Sequence, residues 1–155
     1  MSIEGLIVEM QSDILRITFD RAERLNSLSA DILHVVADTI DAAPAQGARV
    51  VVLTGAGRAF SSGADVGADG APPGLDTIDA GNRLVTSITL SPTPVVAAVN
   101  GIAAGIGCSI ALAADLTIAK ESAGFMLAFT KIGLMPDGGA SMFVPAAAGR
   151  ARAMR

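Results

Sequence analysis

Asn100-Gly-Ile-Ala-Ala-Gly-Ile-Gly-Cys-Ser-Ile-Ala-Leu-Ala-Ala-Asp115 follows the apolar run Pro94-Val-Val-Ala-Ala-Val99. The apolar run reads as a buried strand. The glycines after it open a loop, and the alanine-rich segment beyond Gly105 reads as a helix that is apolar all round. A strand, a glycine loop and a helix start form a ligand-binding device. The first N–H groups of a helix lack partners inside it, and the helix dipole favours negative charge there. Small residues let a ligand oxygen come close to those donors. Taken alone, the stretch reads equally as a tight turn.

Working outward, the strand–helix alternation recurs. Ile3–Met10 and Ile14–Phe19 are β-branched runs separated by Gln11-Ser12-Asp13, and they predict an antiparallel hairpin. Asp20–Ser27 is polar and reads as a loop. Ser29 is placed to cap a helix running to about Ala43, with Ile32, Val36 and Ile40 as its buried stripe. Asp31, His34, Asp38 and Asp41 fall on the opposite stripe, so the one histidine is expected on a solvated acidic face rather than in a site. Val50–Thr54 reads as a strand buried on both faces. A glycine-rich stretch, Gly55–Gly74, reads as one long loop, and Leu75–Leu90 as a helix with Ile78, Val85 and Ile88 on one side. Asp115–Ala119 predicts a strand, Thr130–Gly139 a loop and Ser141–Ala148 a helix. No internal repeat and no linker is evident. This alternation predicts an α/β layer fold with parallel strands.

Composition narrows the function. The chain has 155 residues, 51% of them hydrophobic, with few aromatics and neither Trp nor Tyr. That suits a packed core of helix on sheet. The net charge of −4 is spread without long runs, which argues against a nucleic-acid surface. The single cysteine, Cys108, excludes a disulfide framework within the chain and fits a reducing cytoplasm. No signal peptide and no membrane span is expected. No His/Cys/carboxylate spacing predicts a metal site. Gly55-Ala-Gly-Arg-Ala-Phe60 lacks the third glycine of a dinucleotide fingerprint, and Gly107-Cys-Ser-Ile-Ala111 lacks the last glycine of a nucleophile elbow.

Two loops end buried strands with small residues: Ala59-Phe-Ser-Ser-Gly-Ala-Asp-Val66 and Asn100–Gly107. If those strands are neighbours, the loops meet. Each can then offer one backbone N–H to the same oxygen, which makes an oxyanion hole.

These two segments, together with Ile132-Gly-Leu-Met-Pro-Asp-Gly-Gly139, resemble in order and spacing the signatures of the crotonase superfamily (enoyl-CoA hydratase/isomerase). Arg21–Leu28 is similar to that family's early CoA-binding loop. The resemblance covers nearly the whole chain. It implies a crotonase-like α/β fold, a spiral of ββα units, with residues 1–155 forming the core. It also implies an acyl-CoA thioester as substrate with no separate cofactor, a trimer or paired trimers, and a cytoplasmic protein without nucleic-acid or membrane partners. Family members extend well beyond the position of Arg155. The chain is therefore expected to be truncated after the core and to lack the C-terminal helical region that covers the acyl pocket and builds the trimer.

Carried over by position, the resemblance makes the N–H groups of Ala64 and Ile106 the oxyanion donors. It assigns the backbone around Arg24, Leu25, Ser62, Ala64, Asp65 and Val66 to CoA. Arg21, Arg24 and Arg58 are candidates for its phosphates, with solvated surface charge as the plain alternative. Phe125, Met126, Leu127, Phe129 and Met135 would line an apolar acyl pocket. The family's hydratases use two glutamates, and Ser109 and Phe129 stand in those places here. Asp137 stands where many isomerases of the superfamily keep a single acid/base, although Pro136-Asp-Gly-Gly139 is also good turn chemistry. Two classes stay open: an isomerase working through Asp137, or another enolate enzyme, on one side; a non-catalytic acyl-CoA binder or degenerate subunit on the other.

Overall fold

The computed structural model describes residues 3–66 and 73–154. Part of the expected Gly55–Gly74 loop, residues 67–72, lies outside the described residues.

The chain opens with the hairpin β1 (Leu6–Gln11) and β2 (Ile14–Phe19), paired antiparallel from Leu6↔Phe19 to Gln11↔Ile14. Ser12 makes the two-residue turn at φ 58°, the positive φ that matches strand twist in tight hairpins. A 3-10 turn, Ala22–Arg24, leads to α1 (Ala30–Ala42), whose start is capped as expected: Ser29 Oγ accepts from Ile32 N–H. Ile32, Leu33, Val36, Ala37 and Ile40 are buried, and Asp31, His34, Asp38 and Asp41 face solvent.

Three ββα units then follow. The first is β3 (Val50–Gly55), β4 (Ala59–Ser61) and α2 (Leu75–Leu90). The second is β5 (Val95–Val99), β6 (Ile102–Ala104) and α3 (Ile106–Ala113). The third is β7 (Leu116–Ala119), β8 (Gly124–Met126), a 3-10 turn Ala128–Ile132, and α4 (Ala140–Ala148), with a short α5 (Arg150–Ala153) after it. The first strand of each unit joins a five-stranded sheet in the order β1-β2-β3-β5-β7, parallel except for the hairpin. The second strand joins a parallel three-stranded sheet, β4-β6-β8. The structural repeat is thus present although no repeat is legible in the sequence. Each second strand is only three residues long, too short to carry a pattern.

For the same reason the two glycine stretches, expected as loops throughout, contain β4 and β6. The expected loop Thr130–Gly139 begins inside the 3-10 turn. Two burial expectations also shift. Val51 and Leu53 are buried but Val52 is only half-buried, so β3 is dry on one face. On α2 the buried stripe is Ala80, Gly81, Leu84, Val85, Ser87 and Ile88, with Ile78 half-buried at its margin.

α1 packs on α2, α2 on α3, and α3 on α4. The core between helices and sheet holds Leu15, Ile17, Leu33, Leu53, Leu84 and Ile110. Phe19 meets Phe60 edge to face, with ring centroids 5.5 Å apart, and joins the large sheet to the small one. α3 is buried almost all round, as its composition predicts. Among the described residues no helix is long and apolar enough to cross a membrane, and no cluster of three metal-ligating side chains occurs.

Candidate active site

The parallel pairing of β4 with β6, through Ala59↔Ile102 and Ser61↔Ala103, brings the two small-residue loops together. Gly63 follows β4 with φ 101°, a backbone that L side chains rarely adopt. A Cβ built there would lie 2.9 Å from the Ala104 carbonyl oxygen, just before Gly105. The loops therefore touch backbone to backbone.

On one loop, Leu28 N–H donates to Gly63 C=O and Asp65 N–H donates to Leu28 C=O, each at 2.9 Å. That bridge takes the groups flanking Ala64 and turns Ala64's own N–H the other way. On the second loop, Ile106 is the first residue of α3, so its N–H is an orphan of the helix start. Among the described residues neither N–H donates to any acceptor. The Ile106 side chain is buried against Gly81 and Gly138, which leaves its backbone to face the loop junction.

A cavity of about 670 Å³ opens at this junction. Gly63, Ala64, Gly105, Ile106, Phe129 and Asp137 are among its walls. Asp137 is half-buried, and its Oδ1 is buried without a hydrogen-bond partner among the described residues. Burial raises the Asp137 carboxyl above the ordinary carboxylate range, and a hydrogen bond from its own N–H offsets only part of that. The Asp137 loop is seated on α3: Ser109 Oγ donates to the Asp137 C=O at 3.0 Å. A Cβ at Gly138 would fall 2.5 Å from Ile106 Cδ1, so only glycine allows the loop to lie this close.

The residues expected to hold a nucleotide-bearing ligand surround the other end of the cavity. Arg24, Leu25, Ser62, Ala64, Asp65 and Val66 all line it. Several of their donors have partners inside the protein. Ser62 N–H donates to Leu25 C=O at 2.9 Å and Asp65 N–H to Leu28 C=O. Arg21 is not among the cavity walls: it donates to Asp65 at 2.8 Å and to Ser27 C=O at 3.1 Å. That ion pair engages Arg21; Arg24 and Arg58 are walls of the cavity, and Arg24 also reaches the Asp65 carboxylate, at 3.3 Å.

Lys131 joins them as a cation that sequence reading missed. Its neighbourhood reads as irregular loop, and the 3-10 turn that carries it leaves no periodic signal.

Two apolar expectations separate. Phe129 lines the cavity and is 5% exposed. Met135 is 77% exposed and is not a wall of the cavity. Gly133, left-handed at φ 75°, ends the 3-10 turn, and the chain beyond it presents Leu134 and Asp137 to the cavity instead. Phe125, Met126 and Leu127 also lie off it; Phe125 and Met126 sit on the exposed edge strand β8. Cys108 is buried in α3, and burial pushes its thiol up to about 11, so it is an inert core residue. His34 stands on the solvent face of α1 near Arg83, far from any of this chemistry in role.

A family model described as enoyl-CoA hydratase/isomerase matches residues 9–155. A Rhodobacter capsulatus protein named as a probable enoyl-CoA hydratase is 47% identical, over 99% of this chain and 61% of its own length. An Escherichia coli 1,2-epoxyphenylacetyl-CoA isomerase is 38% identical, over 98% of this chain and 61% of its own. The crystal structure of an enoyl-CoA hydratase from Mycobacterium avium subsp. paratuberculosis superposes with a TM-score of 0.92 at 49% identity. It is matched over 99% of this chain and 62% of its own. The chain thus spans about three-fifths of the length of these relatives.

Proposed function

From the premise that the chain belongs to the enoyl-CoA hydratase/isomerase family, we propose that it binds an acyl-CoA and shifts a carbon–carbon double bond from the 3- to the 2-position. The thioester oxygen sits between the N–H groups of Ala64 and Ile106. Asp137 takes a proton from C2, and the electrons of that C–H bond pass into the thioester to give a dienolate. The two N–H groups stabilise the oxyanion as it forms, a contribution of about 2.7–4 kcal/mol for each donor of this kind. Asp137 then returns the proton at C4. The proton and electrons balance within the substrate, so the reaction as written needs no redox cofactor. Arg24, Arg58 and Lys131 at the mouth supply positive charge for the phosphates of CoA. The whole protein works as a homo-oligomer, trimer or hexamer.

The observation that carries this reading is the half-buried Asp137, its Oδ1 unpartnered among the described residues, in the wall that also holds Ala64 and Ile106. Its raised proton affinity makes it a better base than an exposed carboxylate for a step that must both accept and return a proton. Water addition through two glutamates is disfavoured because Ser109 and Phe129 occupy those places, and neither is a base. A relative named as a 1,2-epoxyphenylacetyl-CoA isomerase, beside relatives named as hydratases, is consistent with an isomerase reading within the family.

The test is a direct assay with 3-enoyl-CoA and 2-enoyl-CoA on the 155-residue chain and on a chain extended past Arg155. Formation of the conjugated ester without hydration, lost in Asp137→Asn while CoA-ester binding persists, is the expected result. An Asp137→Asn chain that turns over like its parent overturns the reading. Binding without turnover in both lengths would assign the protein to the non-catalytic class.

A further inference from the structure

We propose that Ser109 is the positioning residue for the Asp137 carboxyl, registering it against the Ile106 N–H on the same helix. The inference rests on the role proposed for Asp137.

Ser109 is fully buried, and its hydroxyl donates to one acceptor, the Asp137 C=O, 28 residues away in sequence. A serine inside a helix commonly turns its hydroxyl back on the carbonyl one turn earlier. Here Ser109 leaves Gly105 C=O to its own backbone N–H, at 3.2 Å, and reaches across to another segment. Ile106 and Ser109 are one turn apart, so their side chains lie on one face of α3. The Asp137–Gly138 peptide lies on that face at two points. Its carbonyl receives the Ser109 hydroxyl, and Gly138 stands where a Cβ would be 2.9 Å from Ser109 Cβ and 2.5 Å from Ile106 Cδ1.

The consequence is geometric. The donor for the oxyanion and the anchor for the acid/base sit on one rigid element. The Asp137 side chain has no hydrogen-bonding neighbour of its own at Oδ1. Its direction is therefore set by its backbone, and the carbonyl on the side toward Gly138 is held by the Ser109 hydroxyl from α3 and by Ala140 N–H from the start of α4, each at 3.0 Å. A residue without a hydroxyl at position 109 keeps the helix and leaves the Asp137 carbonyl to Ala140 N–H alone, so the hydrogen bond that ties the loop to α3 is lost.

The experiment uses Ser109→Ala and Ser109→Thr, with two readouts. The first is the titration of the Asp137 carboxyl by carbon NMR, which needs no turnover. The second is kcat and KM for 3-enoyl-CoA isomerisation across pH. Ser109→Ala is expected to move the Asp137 titration toward the ordinary carboxylate value, as the loosened loop lets water in. kcat should fall about tenfold or more with KM little changed, and Ser109→Thr should restore both. An unchanged titration in Ser109→Ala overturns the proposal whatever the activity. So does a loss that shows only in melting temperature. If the titration moves while Asp137→Asn stays fully active, the tie is real and the catalytic reading of Asp137 is what fails.

Discussion

Arg21 donates to Asp65 at 2.8 Å across 44 residues of chain, tying the polar turn before α1 to the loop that carries Ala64. Burial by itself would lift the Asp65 carboxyl. The hydrogen bond from Arg21, and then the charges of Arg21 and Arg24, outweigh it and hold the group below its ordinary value. The folded state therefore binds this proton less tightly than the unfolded chain. The stabilisation is present above about pH 3.9, the unfolded value, and is lost as pH falls through the lower folded value. Asp65→Asn is expected to lose about 1.5–3 kcal/mol at neutral pH, the worth of a hydrogen bond to a charged group. Urea unfolding at pH 7 and pH 3 checks this. A deficit equal at both pH values would show that the charge is irrelevant.

Asp137 has the opposite sign. Its folded proton affinity is raised, chiefly by burial, so the folded state favours the neutral acid. The contribution is fully present below the unfolded carboxylate value of about 3.9 and turns against folding as pH rises through the folded value. Asp137→Asn is uncharged at every pH. It is expected to melt at or above the parent at pH 7, and to lose that advantage by about pH 3.5. Calorimetry of both proteins at the two pH values decides it. A variant less stable at pH 7 than at low pH, relative to the parent, would contradict the burial of this carboxylate.

Cys108 gives a chemical check on the packing of α3. The thiol is buried and titrates at about 11, so at pH 8 it is neither ionised nor reachable. A thiol-reactive dye is expected to leave the native chain unlabelled over the time that labels the urea-unfolded chain completely. Prompt labelling of native protein would mean that α3 opens readily. In that case the donor at Ile106 would not be held in place either.

Apolar runs of four residues or more are legible in the sequence; the three-residue strands are not. The alternating and continuous apolar runs of β1, β2, β3, β5 and β7, and the stripes of α1 and α2, sit where the pattern predicts. β4, β6 and β8 are three-residue strands defined by partners distant in sequence, and nothing local announces them. The site follows the same division. Ala64, Ile106 and Asp137 are reached through motifs whose glycines have a steric reason to be there. Met135 and Lys131 depend on how the 3-10 turn at Ala128–Ile132 rotates, which Gly133 decides through its backbone and not through any pattern. Sequence alone does not show that Asp65 engages Arg21, one of the three arginines expected as candidates for phosphate.

The separation of Phe129 from Met135 predicts two different phenotypes from two apolar truncations. Phe129 is buried in the cavity wall, so Phe129→Ala is expected to lose about 3–5 kcal/mol of stability and to widen the range of acyl chains accepted. Met135 is largely exposed and off the cavity, so Met135→Ala is expected to stay within about 0.5 kcal/mol of the parent with unchanged chain-length preference. Denaturant melts and a series of acyl-CoA lengths test the pair. A shifted preference in Met135→Ala would place the acyl tail outside the cavity.

The donor proposed at Ile106 is backbone, so it can be removed only by replacing the N–H itself. The first position of a helix tolerates proline, because its N–H has no helical partner to lose. Ile106→Ala and Ile106→Pro both remove the buried side chain, at about 2–5 kcal/mol for the alanine change. Only the proline removes the hydrogen. The comparison therefore isolates the oxyanion term from the packing term. Assayed below its melting temperature, Ile106→Ala is expected to keep most of the parent's isomerisation rate. Ile106→Pro should lie about 10²–10³-fold lower in kcat, with similar affinity for the CoA ester. Equal rates in the two variants would remove Ile106 from the chemistry and leave Ala64 as the lone donor to the thioester oxygen.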